Sequence, residues 1–219
     1  MNVHFENKKS GPSLVISNSE VKELNLENSP KLDALWCPNN LIDTLSLRTS
    51  TELRLVDLSE NNLSELDFSI HKRLEHLAVS RNPLKSLKLG NHPKLPSLLC
   101  YDCELLELNL QGLHNLKWLY CDDNLIKELD LSAVPKLEVL TCENNELTEI
   151  DLKHCPNLKF IALSGNQLEY LDVSCCPKLT CFTCDDGLRV RRRKSQKRVR
   201  NSDEGFKNIE RDRLSERIN

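Results

Sequence analysis

No stretch of this sequence stays apolar for the roughly 18 residues that a membrane-spanning helix requires, so an integral helical membrane protein is not expected. The opening Met1-Asn2-Val3-His4-Phe5-Glu6-Asn7-Lys8-Lys9 has neither an apolar centre nor a small-residue cleavage site. It does not read as a secretory signal, and the cytoplasm is the expected compartment. Aromatic residues make up 5% of the chain and glycine occurs six times, which argues against a conventional aromatic-cored globule. A Gly-rich phosphate loop and an Asp-x-Asp-x-Asp-Gly calcium loop are both missing. The six histidines are scattered, with no Ser-His-Asp or Cys-His grouping. These absences predict a protein that is not an enzyme and uses no cofactor or metal.

What the chain does have is charge, leucine and cysteine. The net charge of -3 conceals an asymmetry. Residues 188–219 hold 12 Lys and Arg against 5 Asp and Glu, whereas the preceding 187 hold 18 against 28. An acidic body is followed by a basic tail. Ten cysteines in a chain expected to be cytoplasmic call for a role other than an extracellular disulfide frame.

The organising feature is a 21-residue period. Copies begin at Leu32, Leu53, Leu74, Leu95, Leu116, Leu137 and Leu158, with no insertion between them. Counting each start as offset zero, offset three reads Leu35, Val56, Leu77, Leu98, Leu119, Leu140 and Ile161. Offset five reads Cys37, Leu58, Val79, Cys100, Cys121, Cys142 and Leu163. Offset eight is Asn in every copy except one, where Cys103 stands. A weaker copy starts at Gly11, and a failing one at Leu179 meets Gly187 and Arg189 where Asn and Leu belong. A turn of 21 residues cannot bury its apolar face alone, but stacked turns bury a continuous core. The predicted fold is therefore a solenoid whose Leu-x-x-Leu-x-(Leu/Cys) segments pair as a parallel sheet rising ~4.8 Å per turn. The return path is too short for a long helix and should hold short extended or 3-10 pieces. The Asn at offset eight is placed to satisfy backbone groups where the chain leaves the sheet.

This pattern, from Gly11 to about Gly187, resembles the leucine-rich repeat family. Its length and the Cys at offset five resemble the bacterial cysteine-type repeats of the internalin J kind. The resemblance implies a mostly β solenoid of the α/β class, a right-handed horseshoe with a concave parallel sheet. The expected organisation is a lead-in at 1–10, a solenoid at 11–187 of about eight turns with degenerate ends, and a basic tail at 188–219.

Cys100-x-x-Cys103 and Cys181-x-x-Cys184 invite a zinc reading. Register argues against it, because Cys100, Cys121 and Cys142 fall at one offset on consecutive turns and should form a column inside the core. There a thiol packs as a small hydrophobe. The less regular Cys175, Cys176, Cys181 and Cys184 leave a metal or redox role as the alternative.

Residues between the apolar positions should point out of the concave sheet, because side chains alternate along a strand. Offset two supplies His76, Trp118, Val139 and Phe160; offset four supplies Trp36, Asp57, Leu99, Tyr120 and Thr141. Tyr101, Asp122 and Glu143 continue the face at offset six. Both tryptophans of the protein lie here, and an exposed aromatic cluster edged by carboxylates is the composition of a protein-binding hot spot. These twelve residues are the candidate partner-binding set, for a protein partner with a basic surface. The molecule itself is expected to be a monomer.

The tail opens with Arg189–Arg200, 8 basic residues in 12. Three readings remain open: a solvated charge run, a cap over the end of the core, or a nuclear-targeting or nucleic-acid patch. No aromatic interleaves the arginines, so base stacking is not indicated. Residues 208–217 carry good helix formers with opposite charges at helical spacing, predicting a short C-terminal helix. The functional expectation is a non-catalytic protein–protein interaction module. By analogy with bacterial proteins of this look, it would be an effector delivered into a host cell. The alternative is a binder of nucleic acid or an anionic surface acting through the tail.

Overall fold

A computed structural model of the chain describes residues 4–8 and 11–198. The strands, in chain order, are β1 (His4–Lys8), β2 (Gly11–Val15), β3 (Ala34–Trp36), β4 (Leu55–Asp57), β5 (Glu65–Asp67), β6 (His76–Ala78), β7 (Ser86–Lys88) and β8 (Ser97–Leu99). There follow β9 (Trp118–Tyr120), β10 (Val139–Thr141), β11 (Phe160–Ala162), β12 (Tyr170–Asp172), β13 (Cys181–Thr183), β14 (Arg189–Arg191) and β15 (Lys197–Arg198). Eleven of them form one sheet in the order β1-β2-β3-β4-β6-β8-β9-β10-β11-β13-β15. Strand β1 pairs antiparallel with β2, and every later pair is parallel. From β2 to β13 each strand meets the equivalent residue one repeat on, as in Leu35 opposite Val56 and Leu140 opposite Ile161.

The opposite side of the coil is extended rather than helical. Strands β5 and β7 pair there, as do β12 and β14, and a single bridge joins Glu23 to Thr44. Neither α-helix nor 3-10 helix occurs among the described residues, so the return path takes the extended of the two expected forms. Its corners are built by short side chains: Asp67, Asn109, Asp130, Asp151 and Asp172 each accept the N–H two residues on at 2.9–3.0 Å. The C-terminal helix expected at 208–217 lies outside the described residues.

The core is a set of parallel columns. Leu53, Leu74, Leu95, Leu116, Leu137 and Leu158 are fully buried, as are Leu35, Val56, Leu77, Leu98, Leu119, Leu140 and Ile161. The offset-eight asparagines make the second, polar column. Asn61 donates through Nδ2 to the carbonyls of Cys37 (2.9 Å) and Leu58 (3.0 Å), while its Oδ1 accepts from the Ile42 N–H at 3.1 Å. One side chain thus ties two turns together at the corner where sheet pairing stops, satisfying groups that burial would otherwise leave unpaired. The residue just before, at offset seven, is left-handed in eight successive copies, from Asn18 (φ 53°) through Asn39, Glu60, Arg81, Asp102, Asp123 and Asn144 to Gly165 (φ 74°). Asn, Asp and Gly fit that conformation best. At Gly165 a Cβ would also meet Asn144 Oδ1, so a larger residue there would require the Asn144 side chain to move.

The coil carries on past Gly187. Val190 packs against the core between the outward Arg189 and Arg191, and β15, the last strand among the described residues, lies beside β13. Gln196, fully buried, donates through Nε2 to the carbonyls of Val173 and Cys176, both at 2.8 Å. The beginning of the basic run is therefore part of the last turn.

Candidate protein-binding face

The eleven-stranded sheet presents its offset-two and offset-four side chains away from the leucine core, and the candidate residues divide into two groups along it. Towards the N-terminus, the half-buried Trp36 and His76 rings stack with centroids 5.6 Å apart and planes 14° from parallel. Asp57 lies on the intervening strand, its Oδ1 accepting the Ser59 N–H at 2.9 Å.

The second group is larger and differs from expectation. Tyr120, Val139, Phe160 and Ala162 form a small apolar cluster of their own on the outer side of the sheet, with Leu99, Tyr101, Trp118 and Cys181 packed around it. Tyr120 is 8% exposed, Val139 and Phe160 3%, and the neighbouring Thr141 1%. The prediction of an exposed aromatic cluster therefore needs correcting for these four residues. Strand alternation did send them away from the core. Rungs only ~4.8 Å apart then place each ring between bulky neighbours above and below, which cover it. The half-buried members Leu99, Tyr101 and Trp118 are the ones still open to a partner. Both aromatic rings carry a cation over one face: Lys117 Nζ at 5.8 Å from the Trp118 centroid, and Arg81 at 5.5 Å from that of Tyr101.

A carboxylate network borders this cluster. Asp122 accepts the Thr141 hydroxyl and, at 2.8 Å, the Glu143 N–H. Glu143 accepts the Thr183 hydroxyl at 2.9 Å from two turns away. Burial pushes the Asp122 carboxyl up to about 6, against the pull of its two hydrogen bonds and with help from the nearby Glu143 and Asp123. Asp102, Asp123, Asp185 and Asp186 continue the negative rim as exposed groups.

The other flank holds residues that sequence reasoning passed over. Arg54 bridges Asp33 (2.9 Å) and Glu75 (2.7 Å), and Glu138 joins Lys159 (2.6 Å) and Lys117 (4.0 Å). All occupy offset one, and the alternation of sign at 21-residue spacing was the available signal.

All ten cysteines are free, and all are buried except the half-buried Cys175 and Cys181. Burial pushes the Cys37 and Cys155 thiols up to about 12 and that of Cys103 to about 11, and it also raises the Cys100 thiol. Thiols so raised are poor nucleophiles. Among the described residues, no three His, Cys, Asp or Glu side chains are placed to hold a metal, and no helix is long and apolar enough to cross a membrane.

Comparison with known proteins places this geometry. A family model for leucine-rich repeats in two copies matches residues 114–154 and 135–174. Among solved structures, the functional domain of InlJ from Listeria monocytogenes, which includes a cysteine ladder, superposes with a TM-score of 0.74 and 32% identity. The match covers 78% of this chain and 38% of that one, so this chain spans well under half of that domain's length. Internalin C2 from the same organism gives a TM-score of 0.67 at 22% identity, over 79% of this chain and 80% of that one. A leucine-rich-repeat protein of Leptospira interrogans gives 0.58 at 23%, over 65% and 40%. The last two share the fold. No curated protein sequence matches the chain.

Proposed function

Starting from a chain that is a leucine-rich-repeat solenoid with cysteine-type repeats, we propose that it is a non-catalytic interaction module that takes a protein partner on the concave sheet. The observation that carries this reading is the aromatic group on β8 to β11. Its buried members Tyr120, Val139 and Phe160 form a rigid floor, and Leu99, Tyr101 and Trp118 stand half-open on it. Side chains already fixed by packing lose little freedom on binding, which is what makes such anchors effective. The rim of Asp102, Asp122, Asp123 and Glu143 favours a partner with Lys or Arg around an apolar centre.

Truncating Trp118→Ala should weaken the complex by at least ~2 kcal/mol, about 30-fold, while leaving the thermal midpoint of the free protein nearly unchanged. Trp118→Ala is a better probe than Tyr120→Ala, because Tyr120 belongs to the packed floor and its loss would disturb the fold. A partner held equally well by wild type and Trp118→Ala would refute this assignment of the face.

A further inference from the structure

The basic run lacks aromatic residues in the linear sequence, but the coil supplies one from the preceding turn. Strands β12 and β14 pair in register, with Tyr170 opposite Arg189 and Asp172 opposite Arg191. Leu171 and Val190 turn inward, so the other four side chains share the outer surface. Tyr170 is 48% exposed, unusual for a tyrosine on a solenoid whose other large side chains are mostly covered. Arg189, Arg191, Arg193 and Lys194 are exposed on the adjoining turn. Two of them are held by contacts with the preceding turn: Arg191 pairs with Asp172 at 3.4 Å, and Arg193 Nε donates to the Ser174 carbonyl at 2.8 Å. Residues 188–198 contain seven Lys or Arg and no acidic residue. Negative charge near the ring comes from Glu169, beside Tyr170 in the chain, and from Asp172, which is paired with Arg191; on the preceding turn Glu149 and Asp151 are exposed, with Lys153 beside Asp151 at 3.4 Å.

We propose that this corner of the last turn is a binding surface for single-stranded nucleic acid, separate from the concave face. Arg189, Arg193 and Lys194 meet successive phosphates, and the Tyr170 ring stacks on a base. Flat aromatic faces beside a cationic track are how single strands are held without sequence preference. An anionic membrane is the less fitting occupant. The apolar residues of this segment, Leu188 and Val190, are packed against the core rather than available for insertion.

The test is fluorescence anisotropy of the full chain with a labelled 20-nucleotide oligothymidine, run over a salt series. Wild type should bind with a slope of log affinity against log salt near about -2, as three phosphate contacts on a single strand require. The double variant R189A/K194A should bring the slope to about -0.7. Tyr170→Ala should weaken binding about tenfold with an unchanged slope, and Tyr170→Phe should restore it. The proposal is overturned if Tyr170→Ala binds as tightly as wild type, or if R189A/K194A leaves the slope unchanged. It is equally overturned if vesicles containing one third phosphatidylserine, or polyglutamate, bind while the oligonucleotide does not. Circular dichroism melts of each variant separate lost binding from lost fold.

Discussion

The turn after each concave strand shows what a single residue decides. Where Asn stands at offset eight, the next residue keeps an ordinary backbone. In two copies that lack it and carry another side chain, Ser19 and Cys103, the next residue turns left-handed: Glu20 at φ 54° and Glu104 at φ 58°. Both copies then use the same substitute pairing, with the Ser19 and Cys103 N–H groups donating to the next turn's Asn40 and Asn124 at 3.2 Å. Cys103 keeps only sulfur contacts to the Val79 and Tyr101 carbonyls, at 3.3 Å. A glutamate in the left-handed region costs on the order of 1–2 kcal/mol. Cys103→Asn should therefore stabilise the protein by about 1 kcal/mol or more, read as a higher urea midpoint with an unchanged slope. The reverse experiment, Asn124→Ala, should cost about 3 kcal/mol or more. It strands the Cys100 and Cys121 carbonyls and the Leu105 N–H, all bonded to Asn124 at 2.9–3.1 Å. If Cys103→Asn proved destabilising, the asparagine would not be the element that sets the turn.

At the scale of the element, the sequence and the structure agree wherever the 21-residue period holds, because each apolar offset has one environment repeated turn after turn. The cysteine column is the clearest case: Cys100, Cys121 and Cys142 lie wholly inside, on neighbouring rungs. Native protein should accordingly expose two fast-reacting thiols to a disulfide reagent, Cys175 and Cys181, and unfolding should release all ten. Rapid reaction of four or more in the native state would contradict the packing. What the period could not convey was crowding between rungs. Alternation placed Tyr120, Val139 and Phe160 on the outer face correctly, yet outward-pointing is not exposed when the neighbours above and below are also large. Nor could it show where repetition gives way to improvisation. The last turn is only 16 residues by its strand register, Cys181 to Lys197, and it departs from the pattern that identifies the others. Gln196 nevertheless closes it by bonding two carbonyls of the turn before.

For the molecule as a whole, the repeat architecture fixes a ruler more than a function. Turns stacked in register present a rigid sheet, and the residues free to vary on it are those the core does not need. Here that freedom has gathered Leu99, Tyr101 and Trp118 over a packed floor at mid-coil, with carboxylates on one edge and an ion ladder on the other. The Trp36–His76 stack marks a second, smaller focus towards the N-terminus. The most direct measurement of the central claim is site-specific photo-cross-linking. A photoreactive phenylalanine derivative is placed in turn at Trp118 on the concave sheet and at Ile70, an exposed position on the opposite side. The account requires that the partner be captured from position 118 and not from position 70. Capture from position 70 alone would place the working surface on the convex side and contradict it.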